Sequence, residues 1–95
     1  GVSLDPMLVG RIVSGVFEVR GTANIENFSY YRLEVLPPGA SAYVEIRRGA
    51  QRVVDSLLAR VNAGRFASGI YRLRLVVVDA RGAFPQPCDI PLIIE

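Results

Sequence analysis

The sequence contains no histidine, no tryptophan and no lysine, and Cys88 is its only cysteine. The missing side chains exclude Ser–His–Asp and Cys–His catalysis as these are usually built. They also exclude zinc sites made of histidine and cysteine ligands, which need three or four such residues. Cys88 has no partner within the chain, so we predict a small, partly buried apolar side chain. The alternatives are an intermolecular disulfide bond and a lost role in lipid attachment or metal binding.

The charge and the length of the chain exclude further classes of function. The 95 residues carry 11 arginines and 9 acidic side chains, which alternate along the chain. Nucleic-acid binding is therefore not expected, because nucleic-acid binders concentrate their basic residues into a patch. No run approaches the ~18 apolar residues that cross a bilayer, so membrane insertion is not expected. The acidic residues form neither a calcium-loop motif nor a defined carboxylate pair, and we expect no metal, cofactor or enzymatic activity. A single globular domain over residues 1–95 is predicted.

Alternation of apolar and polar residues is the main structural signal. It runs through four segments: Val16–Ala23, Phe28–Leu36, Tyr43–Arg48 and Ile70–Asp79. This period of two is typical of antiparallel strands with one face in water. Glycine and proline separate the segments at short intervals, and Asp79–Gly82 predicts a turn in which Gly82 adopts positive φ. The pattern indicates an all-β sandwich or barrel.

Residues 51–62 have a different pattern. Val53, Val54, Leu57, Leu58 and Val61 have the spacing of an amphipathic helix. Gly64 lies where a helix C-cap is expected. A loop followed by a strand through 57–61 is the alternative, and local periodicity leaves both open.

Two stretches resemble a known class of module. They are VSGVFEVRGTANIENFSYYRLEV (residues 13–35) and SLLARVNAGRFASGIYRLRLVVVDARG (residues 56–82). Both are similar to bacterial extracytoplasmic immunoglobulin-like or fibronectin type III-like modules, although Val61-Asn62 replaces their Trp-Asp pair. The resemblance implies a seven-stranded Greek-key β-sandwich, and it favours a strand at 57–61. It further implies a non-catalytic accessory module of an extracytoplasmic multidomain bacterial protein, acting as a spacer or docking neighbouring domains.

The resemblance also suggests roles for individual residues. Gly69 and Tyr71 are expected to be structural, with the Tyr71 hydroxyl bonding to the preceding backbone in a tyrosine corner. If the strand at 28–36 pairs with the strand at 70–79, their outward side chains form one face. The candidate binding residues on it are Tyr30, Arg32, Arg72 and Arg74.

This face has two interpretations. Arginine and tyrosine are enriched in recognition surfaces, which suggests a module that binds polysaccharide or protein. The alternative is a solvated face with cross-strand Arg–Glu pairs. Val76 and Val78 continue the row without charge, as an interface or as a strip beneath the Phe84–Pro87 loop. An assembly subunit of a surface structure is a further alternative.

Overall fold

A computed structural model describes residues 1–95 as eight strands and two short 3-10 turns. The turns cover Pro6–Leu8 and Ala63–Arg65, and neither is long enough to cross a membrane. The strands are β1 (Val2–Leu4), β2 (Ile12–Val13), β3 (Val16–Ala23), β4 (Phe28–Leu36), β5 (Val44–Gly49), β6 (Val53–Asn62), β7 (Gly69–Asp79) and β8 (Cys88–Ile94).

The strands form two sheets, and the fold belongs to the β-sandwich class. One sheet has three strands in the order β1-β3-β6, and the other has five in the order β2-β8-β7-β4-β5. All neighbours are antiparallel except β2 and β8, which are parallel. The structure has eight strands where seven are predicted, because the residues before Val16 form two short strands, one in each sheet.

Residues 51–62 contain no helix. β6 runs from Val53 to Asn62, so the strand through 57–61 is confirmed, and it begins four residues earlier than the loop-and-strand alternative has it. The helix-like spacing arises from two irregularities in the pairing of β6 with β3, between Val19 and Arg20 and between Gly21 and Ala23. At each one β6 contains an extra residue, which shifts the alternation of its side chains by one position. In the second, Asp55 adopts φ 46° and its N–H donates to the Thr22 hydroxyl at 2.9 Å.

The core lies between the sheets and consists of 19 buried residues from both. The most deeply buried large side chains of this core are Val19, Leu33, Leu73, Leu75, Val77 and Leu92. Burying one such side chain contributes about 1.5–3 kcal/mol. Cys88 is half-buried and packs against this core, as predicted.

The entrance to β7 is a tightly built corner. Gly69 has φ 149°, and a Cβ at this position would lie 2.6 Å from the Pro38 side chain. The Tyr71 hydroxyl donates to the Ala67 carbonyl at 2.7 Å, which is the bond to preceding backbone expected of a tyrosine corner. The Phe66 ring meets the Tyr71 ring edge-on at 6.0 Å. The corner fixes the direction in which the longest strand starts.

The predicted turn at Asp79–Gly82 is present. Gly82 has φ 83°, and its N–H donates to the Asp79 carbonyl at 3.0 Å. The Asp79 carboxylate accepts from the N–H groups of Arg81 and Ala83. The residues between β7 and β8 are therefore tied to the end of β7.

Candidate binding face on the five-stranded sheet

The pairing of β4 with β7 brings the predicted face together. Arg32 lies opposite Val76, Glu34 opposite Arg74, and Tyr30 opposite Val78. Side chains from β5, β8 and the residue before β5 extend this surface. We call the outward side chains the polar face: Tyr30, Arg32, Glu34, Tyr43, Glu45, Arg48, Arg72, Arg74 and Asp89.

Glu34 occupies the middle of the polar face and is 9% exposed. One carboxylate oxygen accepts from Arg32 Nε at 3.0 Å, and the other accepts from Arg74 Nε at 2.8 Å. Withdrawing a carboxylate from water is costly unless it is paired and hydrogen-bonded. Here both oxygens have a charged donor, so the carboxylate joins β4 to β7.

Asp89 on β8 is the second acidic centre. Its carboxylate accepts from the Tyr43 hydroxyl and from Arg72 Nε. The Arg74 guanidinium lies 3.6 Å from the centroid of the Tyr43 ring and so links this centre to Glu34. Burial, followed by the hydrogen bond and the negative charge of Asp89, raises the pKa of Tyr43. The phenol therefore remains a hydrogen-bond donor.

A third group lies at the β5 edge. Arg48 donates to Glu45 at 2.6 Å and places its guanidinium 4.4 Å from the centroid of the Tyr30 ring. The bond from Arg48 lowers the pKa of Glu45. Arg32 lies beside the same tyrosine, 3.4 Å from its hydroxyl oxygen. The polar face is thus crossed by ionic and cation–π contacts from β5 to β8.

The apolar strip on this face is covered. Val76 and Val78 are 1% and 2% exposed, although both point away from the core. Arg32 is paired with Val76 of the neighbouring strand, and the centroid of the Phe84 ring lies 5.7 Å from the Arg32 guanidinium. The residues after β7 therefore fold back over this end of the sheet, which is the second of the two alternatives for the strip.

The four candidate residues Tyr30, Arg32, Arg72 and Arg74 share one face, and each of its arginines is already engaged by a carboxylate. Sequence reasoning missed Tyr43, Glu45, Arg48 and Asp89 as members of that face. The alternation in β5 is a usable signal for Glu45, but it places Arg48 on the opposite side of the strand. Only the irregularity in the pairing of β5 with β4, between Leu33 and Glu34, brings Arg48 to the side of Glu45. Nothing local indicates that Tyr43 meets Asp89, because the two are 46 positions apart.

An apolar row lies next to the polar face. Ile93 is in register with Ile12 on one side and with Ile70 on the other. Ile12 and Ile70 are more than half exposed, and Ile93 is half-buried. Three isoleucines on neighbouring strands thus form an isoleucine row on the outside of the sheet.

No group of three or more acidic or cysteine side chains in the structure is arranged to hold a metal ion. Comparisons of the chain with models of protein families, with curated proteins and with solved structures found no match.

Proposed function

We propose that the chain is an immunoglobulin-like or fibronectin type III-like module that serves as a non-catalytic spacer or docking element in an extracytoplasmic multidomain bacterial protein. The strand order supports the Greek-key assignment, because the first extended residues divide between the two sheets and β2 runs parallel to β8. The two sequence stretches that resemble such modules form β3, β4 and β7, which are inner strands of the two sheets, and most of the edge strand β6.

The placement of the first and last strands carries the spacer proposal. β1 starts where Val2 pairs with Ala23, at the end of β3. β8 ends where Ile94 pairs with Val13, next to the start of β3. An eight-residue strand such as β3 is about 26 Å long. The chain therefore enters at one pole of the sandwich and leaves at the other, along a body 37 Å in its longest dimension.

This arrangement suits a module under tension. When Gly1 and Glu95 are pulled apart, the parallel strands β2 and β8 slide past each other, and their hydrogen bonds are loaded together. These bonds include Gly10 N–H to Pro91, Ile93 N–H to Arg11 and Glu95 N–H to Val13. The network on the polar face joins β8 to β7 and β4 beside them, which supports the same role.

Single-molecule force spectroscopy tests the spacer proposal. We expect a higher unfolding force when the handles are at Gly1 and Glu95 than when they are at Ser68 and Glu95. The second geometry is the control: Gly69 and Ile94 are neighbours, so the β7–β8 bonds open one at a time. Equal forces in the two geometries would contradict a spacer adapted to tension.

The isoleucine row supports the docking part of the proposal, because it offers an apolar contact surface to an adjoining domain. The sequence of the full-length gene product tests this part and the location. We expect an export signal or membrane anchor together with a further domain. A parent that consists of this domain alone, without a leader, would overturn the accessory role.

The polar face is a second candidate function, as a recognition surface for polysaccharide or protein. This function is favoured by the stacking of guanidinium groups on Tyr30 and Tyr43, which places aromatic and cationic groups side by side. A polysaccharide array probed with the protein and with Arg72→Ala/Arg74→Ala tests it. Binding that the double substitution abolishes would support recognition, and equal binding by both proteins would remove it.

A further inference from the structure

A groove of about 390 Å³ opens between the two sheets on the side where β5 and β6 are the edge strands. Its wall is half apolar and half polar, and it includes no acidic residue. The lining side chains and backbone belong to Val16, Ile46, Arg47, Arg60, Val61, Asn62, Arg65 and Phe66.

Two arginines in this groove carry uncompensated charge. None of the six ion pairs in the structure involves Arg47 or Arg65. Arg47 donates through one terminal nitrogen to the Arg60 carbonyl at 2.6 Å, which anchors the guanidinium across the groove. The Arg60 side chain is engaged elsewhere, with Glu18 at 3.3 Å. The remaining donors of Arg47 and all those of Arg65 are available to a ligand.

Elsewhere on the surface, a second groove and the polar face contain acidic side chains beside their arginines. The second groove, of about 440 Å³, includes Asp5 and Glu18 as well as Arg11 and Arg20 in its lining, and Arg20 pairs with Glu18. The arginines of the polar face are likewise neutralised by carboxylates. The groove between β5 and β6 is therefore the concave part of the surface where positive charge and apolar side chains occur together without an acid.

We propose that this groove binds an acidic peptide segment of a partner protein, with one apolar side chain against Ile46 and Phe66 and flanking carboxylates on Arg47 and Arg65. Guanidinium groups present paired donors that match a carboxylate, and such bonds are stronger than neutral ones. A ligand side chain that covers the apolar wall removes apolar surface from water, and this favours binding. This inference goes beyond the spacer role and does not depend on it.

Titration of the protein with an N-acetylated, C-amidated peptide of sequence Glu-Asp-Leu-Asp-Glu tests the proposal. We expect saturable binding, followed by isothermal calorimetry, with NMR shifts at the backbone amides of Ile46 and Phe66. Arg47→Gln/Arg65→Gln should weaken binding roughly tenfold or more, because charge-assisted bonds are lost. Arg65→Gln alone keeps the Arg47–Arg60 bond, and it should weaken binding to a smaller extent in a protein of unchanged stability.

The matched control is Arg11→Gln/Arg81→Gln, which removes the same charge from arginines that lie outside the groove and form no ion pair. Equal weakening in both double variants would overturn the proposal, because binding would then follow net charge alone. Equal affinity for a Glu-Asp-Ser-Asp-Glu peptide would also overturn it, since the apolar wall would have no part. Tighter binding of an oligogalacturonate would overturn it in favour of an anionic polysaccharide.

Discussion

The Tyr31 hydroxyl donates a hydrogen bond to the Leu58 carbonyl at 2.6 Å and so joins the two sheets through the core. Tyr31 belongs to β4 of the five-stranded sheet, and Leu58 belongs to β6 of the three-stranded sheet. Leu58 is an extra residue of β6 with no partner on β3, and the hydroxyl satisfies its carbonyl. Gly49 makes room for the tyrosine, because a Cβ at that position would overlap the ring.

Removing this hydroxyl tests its contribution to stability. Tyr31→Phe should lower the free energy of unfolding by about 1–3 kcal/mol, because a buried carbonyl loses its donor. Urea denaturation measures the change. Tyr30→Phe is the control, since that hydroxyl lies on the polar face, and it should change stability by less than about 0.5 kcal/mol. Equal losses in the two variants would contradict a special role for the buried bond.

Stability should also fall at alkaline pH. Burial raises the pKa of Tyr31 above its ordinary value of 10.0, against the opposing charge of Arg47. The pKa of Tyr43 is raised as well. A group with a raised folded-state pKa contributes stability that is complete below the unfolded-state pKa, about 10, and is lost as the pH rises through the folded-state value.

We therefore expect the free energy of unfolding to decrease above about pH 10. Denaturant titrations at a series of pH values, from neutral upward, measure the slope of the free energy of unfolding against pH. The slope should be smaller for Tyr31→Phe and smaller still for Tyr31→Phe/Tyr43→Phe. An identical alkaline loss in the double variant and the parent would show that these phenols do not cause it.

Gly21 is a site of close approach between β3 and β1. A Cβ there would overlap the Ser3 carbonyl oxygen, which is backbone and has no flexible end to move. Gly21→Ala should lower the melting temperature and cost about 1–3 kcal/mol, because β1 must shift. Gly64→Ala is the comparison, since its nearest neighbour is the Asn62 side chain at 3.1 Å. A larger loss for Gly64→Ala would be contrary to this explanation.

Glu34 holds two arginines on one carboxylate, and its removal should be costly. Glu34→Gln should lower the free energy of unfolding by about 2–3 kcal/mol, below the usual cost for fully buried pairs because Arg32 and Arg74 are partly exposed. Thermal unfolding measures it. The control Glu45→Gln breaks an exposed pair with Arg48 and should have no resolvable effect. Comparable losses from both substitutions would argue against a central role for Glu34.

Strands with uninterrupted alternation could be predicted from the sequence. Val16–Ala23 and Phe28–Leu36 have the predicted bounds, because every second side chain enters the core. The outward residues of β4 and β7 could also be predicted as one face once their pairing was assumed. In these strands the alternation of the local sequence matches the tertiary environment, in which one face of each strand is buried.

Features that depend on distant pairing could not be predicted in this way. The two extra residues in β6 exist only relative to β3, and they shift its pattern toward a helical period. The contact of Tyr43 with Asp89 requires β5 and β8 to lie in one sheet. The groove likewise depends on distant pairing, because it brings Arg47 of β5 together with Arg65 of the 3-10 turn that follows β6.

The conformation of Asp55 has a consequence for contacts between molecules. β6 is an edge strand, and a long regular edge allows strands of other molecules to add to the sheet. The left-handed residue in β6 and its two extra residues interrupt the row of free backbone donors and acceptors. The opposite edge of the same sheet, β1, has only three residues. Fibril growth by edge-to-edge pairing is thus hindered at both edges of this sheet. Replacement of Asp55 by a β-branched residue would weaken this protection at the β6 edge.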